Sequence, residues 1–191
     1  MNVYDFDGTI YNGDSTIDFW KFTLKRHPMV VCSLFSAATG LTLYLFGIIN
    51  KTSLKQLFLK FLKYSPDIEY DISGFWDRHE NRIKSWYLTR KKTDDIIISA
   101  SPEFLLKPIC DKLEIRLIAS RVDKHTGLFK GENCYGEEKI KRLEMEHPNF
   151  RIDNFYSDSE ADSPLAHLAV KAWWVSGNSV VPWEDYHSHL S

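Results

Sequence analysis

The chemistry in this sequence starts at its first strand-like run. Val3-Tyr4-Asp5-Phe6-Asp7-Gly8-Thr9 sets two carboxylates on alternate residues at the end of an apolar stretch. A period of two turns both side chains toward one side of the strand's carboxyl end, where sites of open α/β sheets form. One carboxylate of such a pair can attack as a nucleophile while the other gives and takes a proton. Gly8 allows a sharp turn behind them. Read alone, the same residues also suit a loop cap. Three further groups share this two-sided character. Ser99, Ala100 and Ser101 end an apolar run just ahead of Pro102; a hydroxyl and free N–H groups at a helix start suit a phosphate, while Ser101 ahead of Pro102 equally suits helix capping. Lys139 stands in the first turn of the helix expected over 137–146, against the positive end of its dipole. An anion awaiting neutralisation would explain it, and so would a solvated surface position. Asp158 and Asp162 follow the apolar run 152–156. Clustered hard oxygen ligands suit Mg²⁺, and their mutual repulsion argues against simple capping.

The elements that must position these groups alternate along the chain. Runs at 2–6, 95–100, 115–119, 152–156 and 172–175 read as strands, with helices between them at 102–112, 137–146 and 163–170. That alternation predicts an α/β fold, a parallel sheet with helices on both faces. A chain of 191 residues allows one such core carrying an insert. The insert is 14–92, mostly helical, which divides the chain into a core of 1–13 and 93–191 and a helical insertion between them. Within it, 51–63 spaces Leu54, Leu57, Phe58, Phe61 and Leu62 as one helical stripe, with lysines expected on the other side. Thr126-Gly127 and Lys130-Gly131 mark 121–134 as a small hairpin or flap.

Taken together and in this order, DxDGT, a strand ending in Ser, a Lys and DSxxD resemble the four signatures of the haloacid dehalogenase superfamily of aspartate-nucleophile phosphatases. The resemblance covers nearly the whole chain. A helical insert between the first two signatures is similar to the C1-cap branch, and SASPEFL, ASRVD, GEEKIKRL and YSDSEADSPL resemble its type IB members, which include phosphoserine phosphatases. More loosely, 22–49 with LIASRV and YSDS is similar to phosphatidylglycerophosphatase C, which acts on a lipid phosphate. The resemblance implies a Rossmann-like core and an aspartyl-phosphate formed on Asp5, with Asp7 as general acid and base. Ser99, with Ala100 beside it, and Lys139 would hold phosphoryl oxygens. Mg²⁺ would be bound by Asp5, the Asp7 backbone carbonyl and Asp158, with Asp162, Gly8 and Thr9 in support. An acid/base at Asp7 favours phosphoryl transfer over dehalogenation. A phosphotransferase passing the group to an alcohol is the enzymatic rival, and a non-catalytic protein docking on a membrane or partner is the rival outside catalysis.

Composition narrows the partners. Lys plus Arg number 24 against 26 Asp plus Glu, with no basic excess to hold a nucleic-acid backbone. Three scattered cysteines support neither a disulfide framework nor a zinc cluster, and a reducing cytoplasm is the expected compartment. Asp5 and Asp7 stand where a signal peptide would need an apolar run. The exception is 28–50, which has no charge, where a chain of this composition would place about six. Because the candidate catalytic residues lie on both sides of it, a single membrane crossing would split the site. A buried helix or helical hairpin, broken near Gly40, is the first expectation, and a peripheral membrane contact the second. The His187 and His189 pair reads as a solvated tail, Trp173 and Trp174 as parts of the last strand. Arg78, Arg82, Arg90, Lys91 and Lys92 read as a solvated basic face, with contact to an anionic substrate as the sharper alternative.

Overall fold

Alternation in the first strand sorts the core. In β1 (Asn2–Tyr4) both Val3 and Tyr4 are buried, on opposite faces of a sheet they help centre. The structure, a computed structural model, describes residues 1–188, without the side chains of 187 and 188; the His187 and His189 pair lies outside what it describes. β1 runs parallel between β2 (Ile96–Pro102) and β4 (Asn154–Ser157), β3 (Arg116–Ser120) lies outside β2, and β5 (Lys171–Ser176) outside β4. Sequence reading placed all five. It missed β6 (Ser179–Pro182), which pairs antiparallel with β5 after a turn at Gly177, so Trp173 and Trp174 belong to the penultimate strand.

Register carries each strand's alternation across the sheet. Tyr4, Ile97 and Tyr156 share one face, where α6 (Glu103–Lys112) adds Leu105, Leu106 and Ile109. Val3, Ile96, Ile98 and Phe155 share the other, covered by Leu143 of α7 (Glu137–Glu146) and Leu165 of α8 (Ser163–Leu168). Trp174 closes that side, its ring stacked 3.7 Å from Tyr186 of α9 (Trp183–Ser188). The fold is therefore a mostly parallel, Rossmann-like α/β sheet with helices on both faces, as expected.

Between β1 and β2 the chain passes through five helices: α1 (Ser15–Arg26), α2 (Ser33–Leu45) after a 3₁₀ turn at Pro28–Cys32, α3 (Lys51–Phe58) running into a 3₁₀ turn at Leu59–Tyr64, α4 (Ile68–His79) and α5 (Ser85–Leu88). Local sequence sets the starts of three of them, because Asp14, Asn50 and Asp67 each accept a first-turn N–H as N-caps. The insert's aromatic side chains join the same cluster as Tyr4 and Ile97, so insert and sheet share one core. The 121–134 segment folds back on itself through a Val122–Phe129 bridge and reaches the insert, where the Phe129 N–H donates to Gln56 Oε1 at 3.1 Å.

Two expectations for 28–50 need correction. The helix is not buried: Phe35 is 83% exposed and Phe46 77%. Nor does it break at Gly40, where α2 passes closest to α3; a Cβ there would meet Leu57 Cδ1 at 2.9 Å. Glycine is retained for close helix approach, and the hairpin turns later, over 46–50.

Sharing one core has a measurable consequence. Phe75 is fully buried, with ring centroids 5.4 Å from Phe19 and 4.8 Å from Trp76. Phe75→Ala should cost about 3–5 kcal/mol, and urea unfolding followed by tryptophan fluorescence and by far-UV circular dichroism should stay a single coincident transition. Separate transitions for helices and sheet would contradict a common core.

Candidate active site

The carboxyl ends of β1, β2 and β4 open into one cavity of about 480 Å³, lined by Asp5, Asp7, Gly8, Ser99, Ala100, Lys139, Asp158 and Asp162 among others. All four sequence-predicted groups meet there. A larger cleft of about 920 Å³ beside α8 and β5 is lined mainly by apolar and aromatic residues and brings together none of these aspartates.

Asp5 follows β1 directly and its N–H bonds to the Tyr156 carbonyl of β4, which extends the strand pairing by one residue. Its side chain is buried and accepts from Lys139 Nζ at 2.8 Å. The same ammonium donates to Asp162 at 2.7 Å. This answers the oddity of Lys139: at 2% exposure it is not a surface charge, and two carboxylates offset the unfavourable dipole end. Burial works against its charge, yet Asp5 and Asp162 together hold it well above the usual lysine range. Asp162 also accepts from Ser157 Oγ at 2.7 Å.

Asp7 is held differently. Its carboxylate accepts from the Ser15 N–H at 2.6 Å and from Ser101 Oγ at 2.5 Å. Burial, then the nearby Asp14, pushes its pKa up to about 6. Asp5 is pushed up to about 7, chiefly by burial, which outweighs the pull of Lys139. Ser101 therefore does not cap α6, whose N-cap is Pro102; it orients Asp7. A bulge makes this possible, since β2–β3 pairing skips from Ser99 to Pro102 and leaves Ala100 and Ser101 outside the ladder.

Thr9 and Gly8 seat Asp158. The Asp158 N–H donates to Thr9 Oγ1 at 3.1 Å, and that hydroxyl lies 3.3 Å from Asp158 Oδ1. Gly8 has φ +69°, and a Cβ on it would fall 1.8 Å from Asp158 Oδ2. Burial raises the pKa of Asp158 as well. Five aspartates, including Asp14, line the cavity against two lysines. The charge left poorly compensated on Asp5 and Asp158 fits a divalent cation, and the donors are the hard oxygens Mg²⁺ takes. Among the described residues no three Asp, Glu, His or Cys side chains gather as a group able to hold a metal ion.

Two lysines escaped sequence reading. Lys55 of α3, expected on the solvated side, donates to the Ala100 carbonyl at 2.6 Å and lines the cavity; burial pushes its ammonium below the ordinary value. Its signal was position, since at the rim of the apolar arc it lies in line with Phe58 and Leu62, unlike Lys60 and Lys63. Lys84 bonds to the Gly8 carbonyl and had no sequence signal. None of Arg78, Arg82, Arg90, Lys91 and Lys92 lines the cavity; Arg82 pairs with Asp18 and packs against Gly13 at the cavity rim.

A sequence model of the haloacid dehalogenase-like hydrolase family matches residues 3–167. Among solved structures, a protein of unknown function from Bordetella pertussis Tohama I superposes with a TM-score of 0.71 at 17% identity, over 90% of this chain and 87% of that one. A phosphoserine phosphohydrolase-like protein from Francisella tularensis subsp. tularensis SCHU S4 gives 0.56 at 19% identity over 90% and 86%. A substrate-bound phosphoserine phosphatase gives 0.54 at 18% over 89% and 82%. At these identities the likeness is one of fold.

Crowding at Gly8 predicts a graded result. Gly8→Ala should destabilise the chain more than Gly131→Ala, which shares a positive φ of +103° but has nothing within 4 Å of the added carbon. The φ penalty alone is about 1–2 kcal/mol; equal urea midpoints for the two variants would refute a tight seat for Asp158.

Proposed function

The chain belongs to the haloacid dehalogenase-like hydrolases, and on that premise we propose that it is a Mg²⁺-dependent phosphatase working through an aspartyl-phosphate on Asp5. In this reading 1–13 and 93–191 are the catalytic core and 14–92 a cap. One observation carries it: a buried aspartate and a half-buried one share a cavity, the first on an ammonium and the second on two hydrogen-bond donors.

Ionised Asp5 attacks phosphorus, and the ester oxygen leaves with the bonding pair while taking a proton from the Asp7 carboxyl. Asp7, now a carboxylate, draws a proton from water as that water's oxygen attacks the phosphorus of the acyl phosphate. Inorganic phosphate leaves and Asp5 is restored. Lys139, Ser99 and the backbone at Ala100 hold phosphoryl oxygens, and Ser101 with the Ser15 N–H keeps Asp7 aimed. Mg²⁺, held by Asp5, Asp158 and the Asp7 carbonyl, would offset carboxylate charge facing the phosphate and favour ionised Asp5. Raised pKa values suit a group that must hold a proton and then give it up near neutrality.

Substrate choice falls to the insert, which brings Lys55 into the cavity. Phosphoserine is suggested by two structural neighbours, the phosphoserine phosphohydrolase-like protein and the substrate-bound phosphoserine phosphatase. A lipid-borne phosphate is favoured by the exposed apolar side of α2, the helix packed against the one that carries Lys55. Turnover of phosphoserine and of phosphatidylglycerophosphate in detergent separates the two, and an added alcohol acceptor detects transfer in place of hydrolysis.

Asp5→Asn should lower phosphate release from p-nitrophenyl phosphate at least about 10³-fold, and unchanged release would remove the proposal. Asp7→Asn should cost about 10²–10⁴-fold and, with this good leaving group, accumulate phosphorylated enzyme visible by intact mass.

The pKa shifts set the sign of a pH effect. Asp5 lies near 7 folded against 3.8 unfolded, so its ionisation destabilises the cation-free chain as pH rises toward and through 7, and not below about 4. A cation that binds the ionised form restores that loss. Added Mg²⁺ should therefore raise the melting temperature more at about pH 8 than at about pH 5. Equal shifts at both values would argue against Asp5 as a ligand.

A further inference from the structure

Helix α2 is built inside out. Its small residues face α3: Ser36 Oγ lies 3.1 Å from the Leu57 carbonyl, and Gly40 allows the contact with Leu54 and Leu57. Its large residues face away, with Leu34, Leu41 and Leu45 recurring at helical spacing and Phe35 and Phe46 beside them, all exposed. A helix whose apolar side served the protein core would be turned the other way. Charge around it is one-sided too. Residues 19–66 contain seven Lys and Arg and no Asp or Glu; with Arg26 paired to Asp71, Lys21 to Asp18 and Lys55 in the cavity, Lys25, Lys51, Lys60 and Lys63 remain. The acids at the two borders are engaged locally, Asp18 with Arg82 and Lys21, and Asp67 as the N-cap of α4.

We propose that the outward side of α2, with the residues just before and after it, docks in the plane of an anionic lipid bilayer. With the 3₁₀ turn before it, α2 forms an apolar helical run of 18 residues, Pro28–Leu45, long enough to cross a membrane by length and composition alone. Topology excludes a single crossing by α2. Its hairpin partner α3 reaches the active-site cavity through Lys55, and β1 and β2, which bracket the insert, are adjacent strands. Lying flat, α2 sinks its apolar side into the interface while exposed Lys25 and Lys63 meet lipid phosphates. A second copy of the chain is the weaker occupant. Two-fold pairing through this side would set two acid-free basic regions against each other. The docking stands on α2 and its flanks and does not depend on hydrolysis at Asp5.

Flotation of the full chain with phosphatidylcholine vesicles, with and without phosphatidylglycerol, tests it, beside sedimentation velocity without lipid. The wild type should float with the anionic vesicles and bind them at least about tenfold better than neutral ones. Phe35→Ser/Phe46→Ser, with circular dichroism unchanged, should lose about tenfold or more of that binding while still hydrolysing p-nitrophenyl phosphate. Asp5→Asn should float like the wild type, so failure of docking and failure of the phosphatase proposal are read apart. Absence of vesicle binding, equal binding by the double variant, or a stable dimer that the double variant dissociates would each overturn the proposal, the last by making this side a self-interface.

Discussion

Everything at the site hangs on the buried bridge Asp5–Lys139–Asp162. Its members come from the end of β1, the first turn of α7 and the segment after β4, so one ammonium ties together three pieces far apart in sequence. An ion group taken out of water gains little net stability, yet removing one member leaves a buried charge uncompensated at about 3–5 kcal/mol. Such an arrangement specifies geometry more than it stabilises the fold. The sheet order makes it possible, because β1 sits between β2 and β4 and the crossovers on its two sides diverge, leaving the crevice in which open α/β sheets seat ligands.

The same crevice treats its two leading carboxylates unequally. Asp5 faces an ammonium, while Asp7 faces a hydroxyl and a backbone N–H. The ammonium favours the ionised form of Asp5 against the burial that raises its pKa; a serine hydroxyl and an amide tolerate a change of protonation with little cost. In the proposed mechanism these different surroundings suit one of two identical side chains to being modified and the other to carrying a proton. The bulge after Ser99 is the local device behind this, since it releases Ser101 from the ladder to reach Asp7.

How much of this could be seen in the sequence follows from the range of the interactions. The four groups that meet in the cavity were legible because each ends a strand or begins a helix, and the strands declare themselves as apolar runs. β6 is only four residues, Ser179–Pro182, too short for period-two alternation to stand out, although Gly177-Asn178 marked its turn. Lys55 enters the cavity and Lys84 reaches the Gly8 carbonyl through tertiary folding of the insert; only Lys55 carried a positional signal. Ser101 was read by its neighbour Pro102 when its true partner lies 94 residues away.

The apolar run at 28–50 was misjudged for a different reason. Counting apolar residues predicts burial, but burial is decided by which residues a neighbour can approach. Ser33, Ser36 and Gly40 recur on one side of α2, and small side chains are what let two helices come close. Once α3 occupies that side, the leucines and phenylalanines have nowhere to point but outward. Turning α2 over would bury them against α3 only by placing bulk where Leu57 already touches Gly40. Exposure of this surface is therefore a consequence of helix packing, and the packing also fixes α3 and its Lys55 at the cavity. The side that faces outward and the residue that faces the chemistry are thus held by one contact between two helices.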